Sequence, residues 1–454
     1  MRLDLLQGAL RAAPGVAQWR ITETVERRYE RYLTFLEVES ERRTAATRWQ
    51  VWLALEPVPS GQQASGQQAS GQQPSGLQQG EAGFTIGSSE DSDALVERVR
   101  TALDAAAAAP NPVWLLPAPG EAGTATPPAD PASGCDGGLL ADPDAVLDAL
   151  VAEFAAAVPE DVRPSTLELF ATVSDRRLLN HRGLDLRDRS TLLYAEWVLL
   201  HRPARGEQVE EVEFFDRIEA TRAVDLTLTA RVVAAAACVR DGALATSPAA
   251  GLQPVLITGP YVAALLGWFA THSDAAMHVR KINALSEQQP VMSRRSGEPL
   301  DLWSDPAVPS LSAYAFDADG YAPQRQELIC GDVLVGLHGA GRWMQRLGRA
   351  AHGSLGTLVM PAGATPLTAL RRGTLEIVRF SEFHPRSDTG AFSGEIRLAY
   401  LHHADGTRSA ITGGSVSGTL REALADSRAC CELQTIEGFH GPQALRLESV
   451  MVTR

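Results

Sequence analysis

Two stretches of alternating residues meet at a turn near the middle of this chain, and they restrict its fold more than any other feature. Thr166 to Ser174 and Thr191 to Leu200 place branched or aromatic residues at every second position for much of their length, the period that turns one face of a β-strand toward a core. Between them, Leu179-Asn180-His181-Arg182-Gly183 supplies the Asn and Gly of a tight turn. The pair predicts two long strands. Upstream, Tyr32 to Val38 and Trp49 to Leu55 read as a hairpin-like strand pair.

Helical patterns run from Asp91 to Ala109, through Leu147, Leu150 and Phe154, and from Glu211 to Arg240. The first 240 residues therefore predict an α+β domain of helices and strands. Two flexible loops interrupt it. Ser60-Gly61-Gln62-Gln63-Ala64 begins a five-residue repeat that continues to about Gln79 and offers no apolar face, so residues 60–80 form one loop. The Pro-, Gly- and Ala-rich stretch at 110–142 forms the other.

Residues 241–454 predict a second domain, a largely antiparallel, barrel-like β structure with helices. A short strand at Pro254 to Thr258 leads into a helix opened by Pro260, at a first helical position. Val262, Leu265, Leu266 and Phe269 form the stripe of a core-facing helix. Strands then follow at Thr357 to Met360, Thr374 to Phe380, Gly394 to His402, Ala410 to Ser417 and Ala444 to Val452.

The net charge of -14, with no long Lys/Arg run, argues against a nucleic-acid partner. No window reaches the roughly 18 consecutive apolar residues of a membrane span, and Asp4 interrupts the start before a signal core can form. A cytoplasmic protein is expected. The five cysteines lack a C-x-x-C spacing, which argues against both a disulfide framework and a zinc knuckle.

Several weaker motifs have plain structural readings. His338-Gly339-Ala340-Gly341 lacks a matching nucleophile elbow and reads as a glycine-rich turn. Asp317-Ala318-Asp319-Gly320 places its glycine too early for a calcium loop. His402 and His403 read as exposed loop histidines, and Cys430-Cys431 as ordinary thiols.

Taken in order, spaced segments resemble the TldD and TldE (PmbA) family. Asn180-His181-Arg182-Gly183 resembles its Asn-Ser-x-Gly turn, and Phe316-Asp317-Ala318-Asp319-Gly320 its Phe-Asp-Asp-Glu-Gly segment. Pro361-Ala362-Gly363 matches its strand-then-Pro-Gly element, Thr389-Gly390-Ala391-Phe392-Ser393 its Thr-Gly-Asp-Phe-Ser, and Ser417-Gly418-Thr419-Leu420 its Gly-Asn-Leu. The resemblance implies a heterodimeric zinc metallopeptidase acting on small unfolded peptides, including leaders of modified peptide products. In that family TldD carries an HExxxH zinc helix and a further cysteine ligand, whereas TldE lacks the set.

Here the aligned helix reads Gly267-Trp268-Phe269-Ala270-Thr271-His272, so only the last histidine remains. A catalytic zinc needs three protein ligands, an open position for water and a nearby base. Gly267 has no ligand atom and Trp268 cannot act as a base. A mid-helix Gly costs about 1 kcal/mol relative to Ala, which predicts that Gly267 is there for close packing. His278 lies about 240° around an ideal helix from His272 and cannot chelate with it on one face without a helix break.

The resemblance thus implies a TldE-like chain without catalytic or metal-binding residues, whose zinc resides in a TldD-like HExxxH partner. Asn180, Gly183, Trp268, Phe392, Ser393 and His440 are the candidates for contact with substrate or partner. For Trp268 the resemblance implies a position facing the catalytic chamber. Two other readings are a stand-alone enzyme with a site rebuilt around His272, His278 or Cys430 and Cys431, and a homodimeric binding or scaffold protein.

Overall fold

Alternation in the first half of the chain produces one wide, curled antiparallel sheet. A computed structural model describes residues 2–59, 76–90, 92–125, 134–203, 211–292 and 296–454. Most of the five-residue repeat, 60–75, lies outside the described residues. From one edge, the long strands are Leu77–Gly87, Glu37–Leu55, Val16–Thr34, Arg163–Asn180, Asp185–His201 and Val212–Ala220. Leu167, Leu169, Ala171 and Val173 pack beside Leu193, Ala195, Trp197 and Leu199 on one face. Helices Pro143–Ala157 and Leu228–Gly242 cover that face with Leu147, Leu150, Phe154, Val232 and Val239.

Four expectations in this half are corrected, the first being that residues 77–80, expected in a flexible loop, begin strand Leu77–Gly87. The chain reverses at Phe35 and Leu36, both at positive φ, so Tyr32 to Val38 spans a hairpin turn instead of forming one strand. Bulky residues seldom occupy such a turn, and the apolar run through it conceals the reversal. Residues 212–220 form a strand, not a helix. Finally, the expected loop at 110–142 contains a short strand, Pro110–Pro112, and a helix, Gly137–Ala141, capped by the Asp136 carboxylate.

In the second half, five strands close into a ring. Gly251–Thr258 pairs with Ala444–Thr453, then follow Ser415–Thr419, Ala391–His402 and Leu375–Pro385, which returns to Gly251–Thr258. Only the last junction is parallel. Arg408–Ile411 pairs with Ala391–His402, so the single strand expected over 410–417 is two strands separated by Gly413 and Gly414, both at positive φ. The largely antiparallel barrel expected from the sequence is present.

Helix Pro260–His272 packs Val262, Leu265, Leu266 and Phe269 into the same core as Val255, Ile257, Ile377, Phe392, Ile396, Leu445 and Val452. A smaller sheet joins Gln326–Cys330, Leu302–Ser304, Leu358–Val359 and Phe439–Pro442 beside it. The barrel also packs against the first half: Leu398 and Tyr400 share a core with Val232 and Val239, and the Tyr400 hydroxyl donates to Asp241 at 2.7 Å. No helix among the described residues is long and apolar enough to cross a membrane.

Candidate functional site

The last turn of helix Pro260–His272 leaves carbonyls without helical partners, as every helix end does. Histidines satisfy two of them. His338 Nε2 lies 2.8 Å from the Ala270 carbonyl, and His278 Nε2 lies 2.9 Å from that of His272. A third histidine uses both ring nitrogens: His272 Nε2 is 2.8 Å from the Ser387 carbonyl, while the Ala284 N–H donates to Nδ1 at 2.9 Å. This arrangement fits a neutral imidazole with its proton on Nε2.

Burial lowers the pKa of His272, with the nearby charge of His278 adding to the effect, and burial also lowers that of His338, against the opposing influence of Asp274. Both rings bind protons less readily when folded than unfolded. Their contribution to stability is therefore complete above the unfolded value near 6.5 and is lost as pH falls below it toward the folded values. Urea unfolding at pH 7.5 and 5.5 should show a lower midpoint at pH 5.5. The loss should approach about 1.4 kcal/mol per pH unit for each histidine and should shrink in His272→Gln. A pH-independent difference between the two proteins would contradict this assignment.

Trp268 stacks at a tilt on His272, with ring centroids 4.4 Å apart, and is only 5% exposed. Gly390 sits against its indole: a Cβ there would lie 3.3 Å from Trp268 Cε2. The Thr389-Gly390-Ala391-Phe392-Ser393 segment is thus held against the helix by Gly390, whose φ of +71° also favours glycine. The implied chamber-facing role for Trp268 is corrected: in this chain the ring is an internal packing element.

Gly267 is the second correction. A Cβ at this position would meet nothing within 4 Å, so close packing does not require the glycine. These three positions do not fit zinc. One supplies no donor, one is a buried indole, and the imidazole of the third is held by two backbone groups.

The other candidates are dispersed. Phe392 is buried in the barrel core, while Ser393 beside it is exposed on the same strand. His440 lies in the smaller sheet, with Nδ1 2.8 Å from the Thr435 hydroxyl. Asn180 is buried and closes its turn, with Oδ1 accepting from the N–H groups of Arg182 and Leu184 and Nδ2 donating to the Pro117 carbonyl at 2.7 Å. Gly183 is exposed at φ +91°. Asn180, Trp268 and Phe392 are consequently out of reach of a contacting molecule in this conformation.

The thiol of Cys430 is buried beside Ala444, whose N–H points at its sulfur, whereas Cys431 is exposed. His402 is not an exposed loop residue, because its Nε2 is 2.6 Å from the buried Glu376 carboxylate, which Arg371 also binds. His403 is likewise partly buried and pairs with Ser409.

Sequence reasoning missed a connection between two motifs. Asp317 Oδ1 accepts the N–H groups of Asp319, Gly320 and Tyr321, folding its loop into a tight turn. Asp319 pairs with Arg20, and Arg176 donates to the Phe316 carbonyl. Phe316 packs with Leu178 and Leu184, the residues flanking the Asn180 turn. The two motifs form one clasp between the curled sheet and the second half.

Residues 250–454 match the profile of the PmbA/TldA metallopeptidase C-terminal domain. No curated protein matches the chain. Among solved structures, TldE from Thermococcus kodakarensis is similar over 100% of both chains, with a TM-score of 0.75 and 16% identity. A protein described as a modulator of a DNA gyrase, from Thermotoga maritima, is similar over 100% of both chains, with a TM-score of 0.76 and 14% identity. A counterpart from Bacteroides thetaiotaomicron covers 99% of this chain and 98% of its own, with a TM-score of 0.75 and 16% identity. At these identities the solved structures establish the fold.

Proposed function

We propose, from the premise that residues 250–454 belong to the PmbA/TldA metallopeptidase C-terminal domain family, that this chain is the non-catalytic, TldE-like subunit of a two-chain zinc peptidase. Its TldD-like partner supplies the HExxxH helix and the zinc, and the pair acts on small unfolded peptides. This chain helps to enclose the reaction chamber and to limit access to slender substrates.

One observation carries the reading. Helix Pro260–His272 retains its full apolar packing while its ligand positions hold a glycine, a buried indole and a histidine committed to backbone groups. A helix under selection for packing but not for metal binding has this form. The outer strand of the smaller sheet, Leu433–Ile436, is an edge to which an extended peptide could add as a strand.

The purified chain should hold far less than one equivalent of zinc and should cleave no peptide. Co-expressed with an HExxxH-bearing relative, it should co-purify as a heterodimer that cleaves unfolded peptides. Near-equimolar zinc in the isolated chain would overturn the assignment, as would failure to co-purify with any such relative from the same genome.

A further inference from the structure

A concentration of positive charge lies beyond the degenerate helix, in a chain whose net charge is -14. Short helix Gly341–Arg346 presents Arg342, Trp343 and Arg346, and helix Ala275–Arg280 ends beside it. Three guanidinium carbons surround the Trp343 ring: Arg342 at 4.4 Å from the centroid, Arg346 at 4.7 Å and Arg280 at 5.0 Å. Cation–π contact holds each in place without neutralising it.

The anions nearby are insufficient. Arg346 donates to Asn111 Oδ1 at 3.1 Å and approaches Glu81 at 3.8 Å, leaving its buried Nε without an acceptor. Glu81 already accepts from the Trp114 indole at 2.9 Å and from Gln79. Among the described residues, neither Arg280 nor Arg342 has a carboxylate within ion-pair distance. Burial first, and then the neighbouring guanidinium groups, lower the pKa of Arg342 and of Arg346 despite the opposing pull of Glu81.

The cluster is rigidly mounted. Gln345 Oε1 accepts from the Leu115 N–H at 3.0 Å while its Nε2 donates to the Leu115 carbonyl at 2.8 Å, fixing the helix to the first half of the chain. Gly341 lies so close to Tyr321 that a Cβ would sit 2.3 Å from its ring. Like charges held together on a fixed frame are destabilising unless a ligand neutralises them.

We propose that Arg280, Arg342 and Arg346 around Trp343 form a binding site for the carboxylate of an extended peptide. Planar guanidinium groups match a carboxylate in two-point fashion, and the indole edge provides a surface for the adjoining apolar residue. The choice of a peptide rests on the proposed function, whereas the anion site itself rests on charge and packing within this chain and needs no catalytic partner. Binding by the isolated protein therefore tests it separately from co-purification.

The test uses calorimetric titration of the full chain with a short N-acetylated alanine–leucine peptide, as its free acid and as its C-terminal amide, with inorganic phosphate as competitor. The acid should bind about tenfold or more tightly than the amide. Arg342→Gln and the exposed Arg280→Gln should each erase that preference while leaving the melting midpoint unchanged or higher, since each relieves repulsion. A merely structural arginine would lower the midpoint when replaced. Equal binding of acid and amide would overturn the proposal, and so would displacement of the peptide by phosphate at a comparable concentration.

Discussion

Gly363→Ala is expected to cost about 3 kcal/mol or more, a large overpacking penalty, and to leave little folded protein at physiological temperature. A Cβ at this position would lie 2.0 Å from the Ala429 carbonyl oxygen and 2.5 Å from its carbon. Both are backbone atoms, so no side-chain rotation relieves the clash. The Gly363 N–H also donates to the Cys430 carbonyl at 3.0 Å, and the Cys430 N–H in turn donates to the Ala444 carbonyl. Displacing Ala429 thus disturbs its pairing with Leu445 in a ring strand of the barrel. Urea denaturation checks the prediction, and a variant with wild-type stability would show that the Pro361-Ala362-Gly363 element has more room than its geometry indicates.

His272→Ala should destabilise the protein by about 3–5 kcal/mol. Its ring is 1% exposed, so its removal leaves a cavity beside Trp268, the main cost, and takes a partner from the Ser387 carbonyl and the Ala284 N–H, both on exposed residues. His272→Gln should recover part of the loss by restoring one donor. Gly267→Ala, on the same helix, is expected to act oppositely, raising stability by about 1 kcal/mol because the new methyl group meets no atom. A neutral His272→Ala would mean that the ring's packing and its two hydrogen bonds contribute little, and the structural account of this residue would fail.

Strands could be read in the sequence wherever the apolar period was unbroken, as at Leu167, Leu169, Ala171 and Val173. Their continuations were hidden by charge. Arg27 and Arg189 pair with Asp175 across neighbouring strands, and Arg177 pairs with Asp185, so polar side chains occupy positions where apolar residues would signal a sheet. In Val212–Ala220 the inward positions are Phe214, Asp216 and Ala220. Asp216 is neutralised by Arg231 and Arg379, residues from distant parts of the chain. With a carboxylate in an inward position, the exposed Phe215 and half-buried Ile218 imitated a helical stripe.

At the candidate site, chemistry was legible but environment was not. The sequence displayed the missing zinc donors at Gly267 and Trp268. It could not reveal that Gly267 borders open space, that Gly390 fits the Trp268 ring, or that His272 bonds to Ser387 and Ala284. The arginines around Trp343 likewise come from two helices and gain meaning because no carboxylate among the described residues lies within ion-pair distance of Arg280 or Arg342, which only spatial proximity exposes. The i, i+4 spacing of Arg342 and Arg346 was the available signal.

The closed ring of strands has a consequence for how the protein emerges from the ribosome. Gly251–Thr258 is completed early, yet both of its neighbours in the ring, Leu375–Pro385 and Ala444–Thr453, come much later in the chain. At ordinary rates of synthesis the strand waits on the order of ten to forty seconds for its last partner. Throughout that interval helix Pro260–His272 has no complete barrel to enter, and its apolar side must be kept from other nascent chains. Assembly of this half is therefore a late event, and its timing is set by translation as well as by the stability of the finished fold.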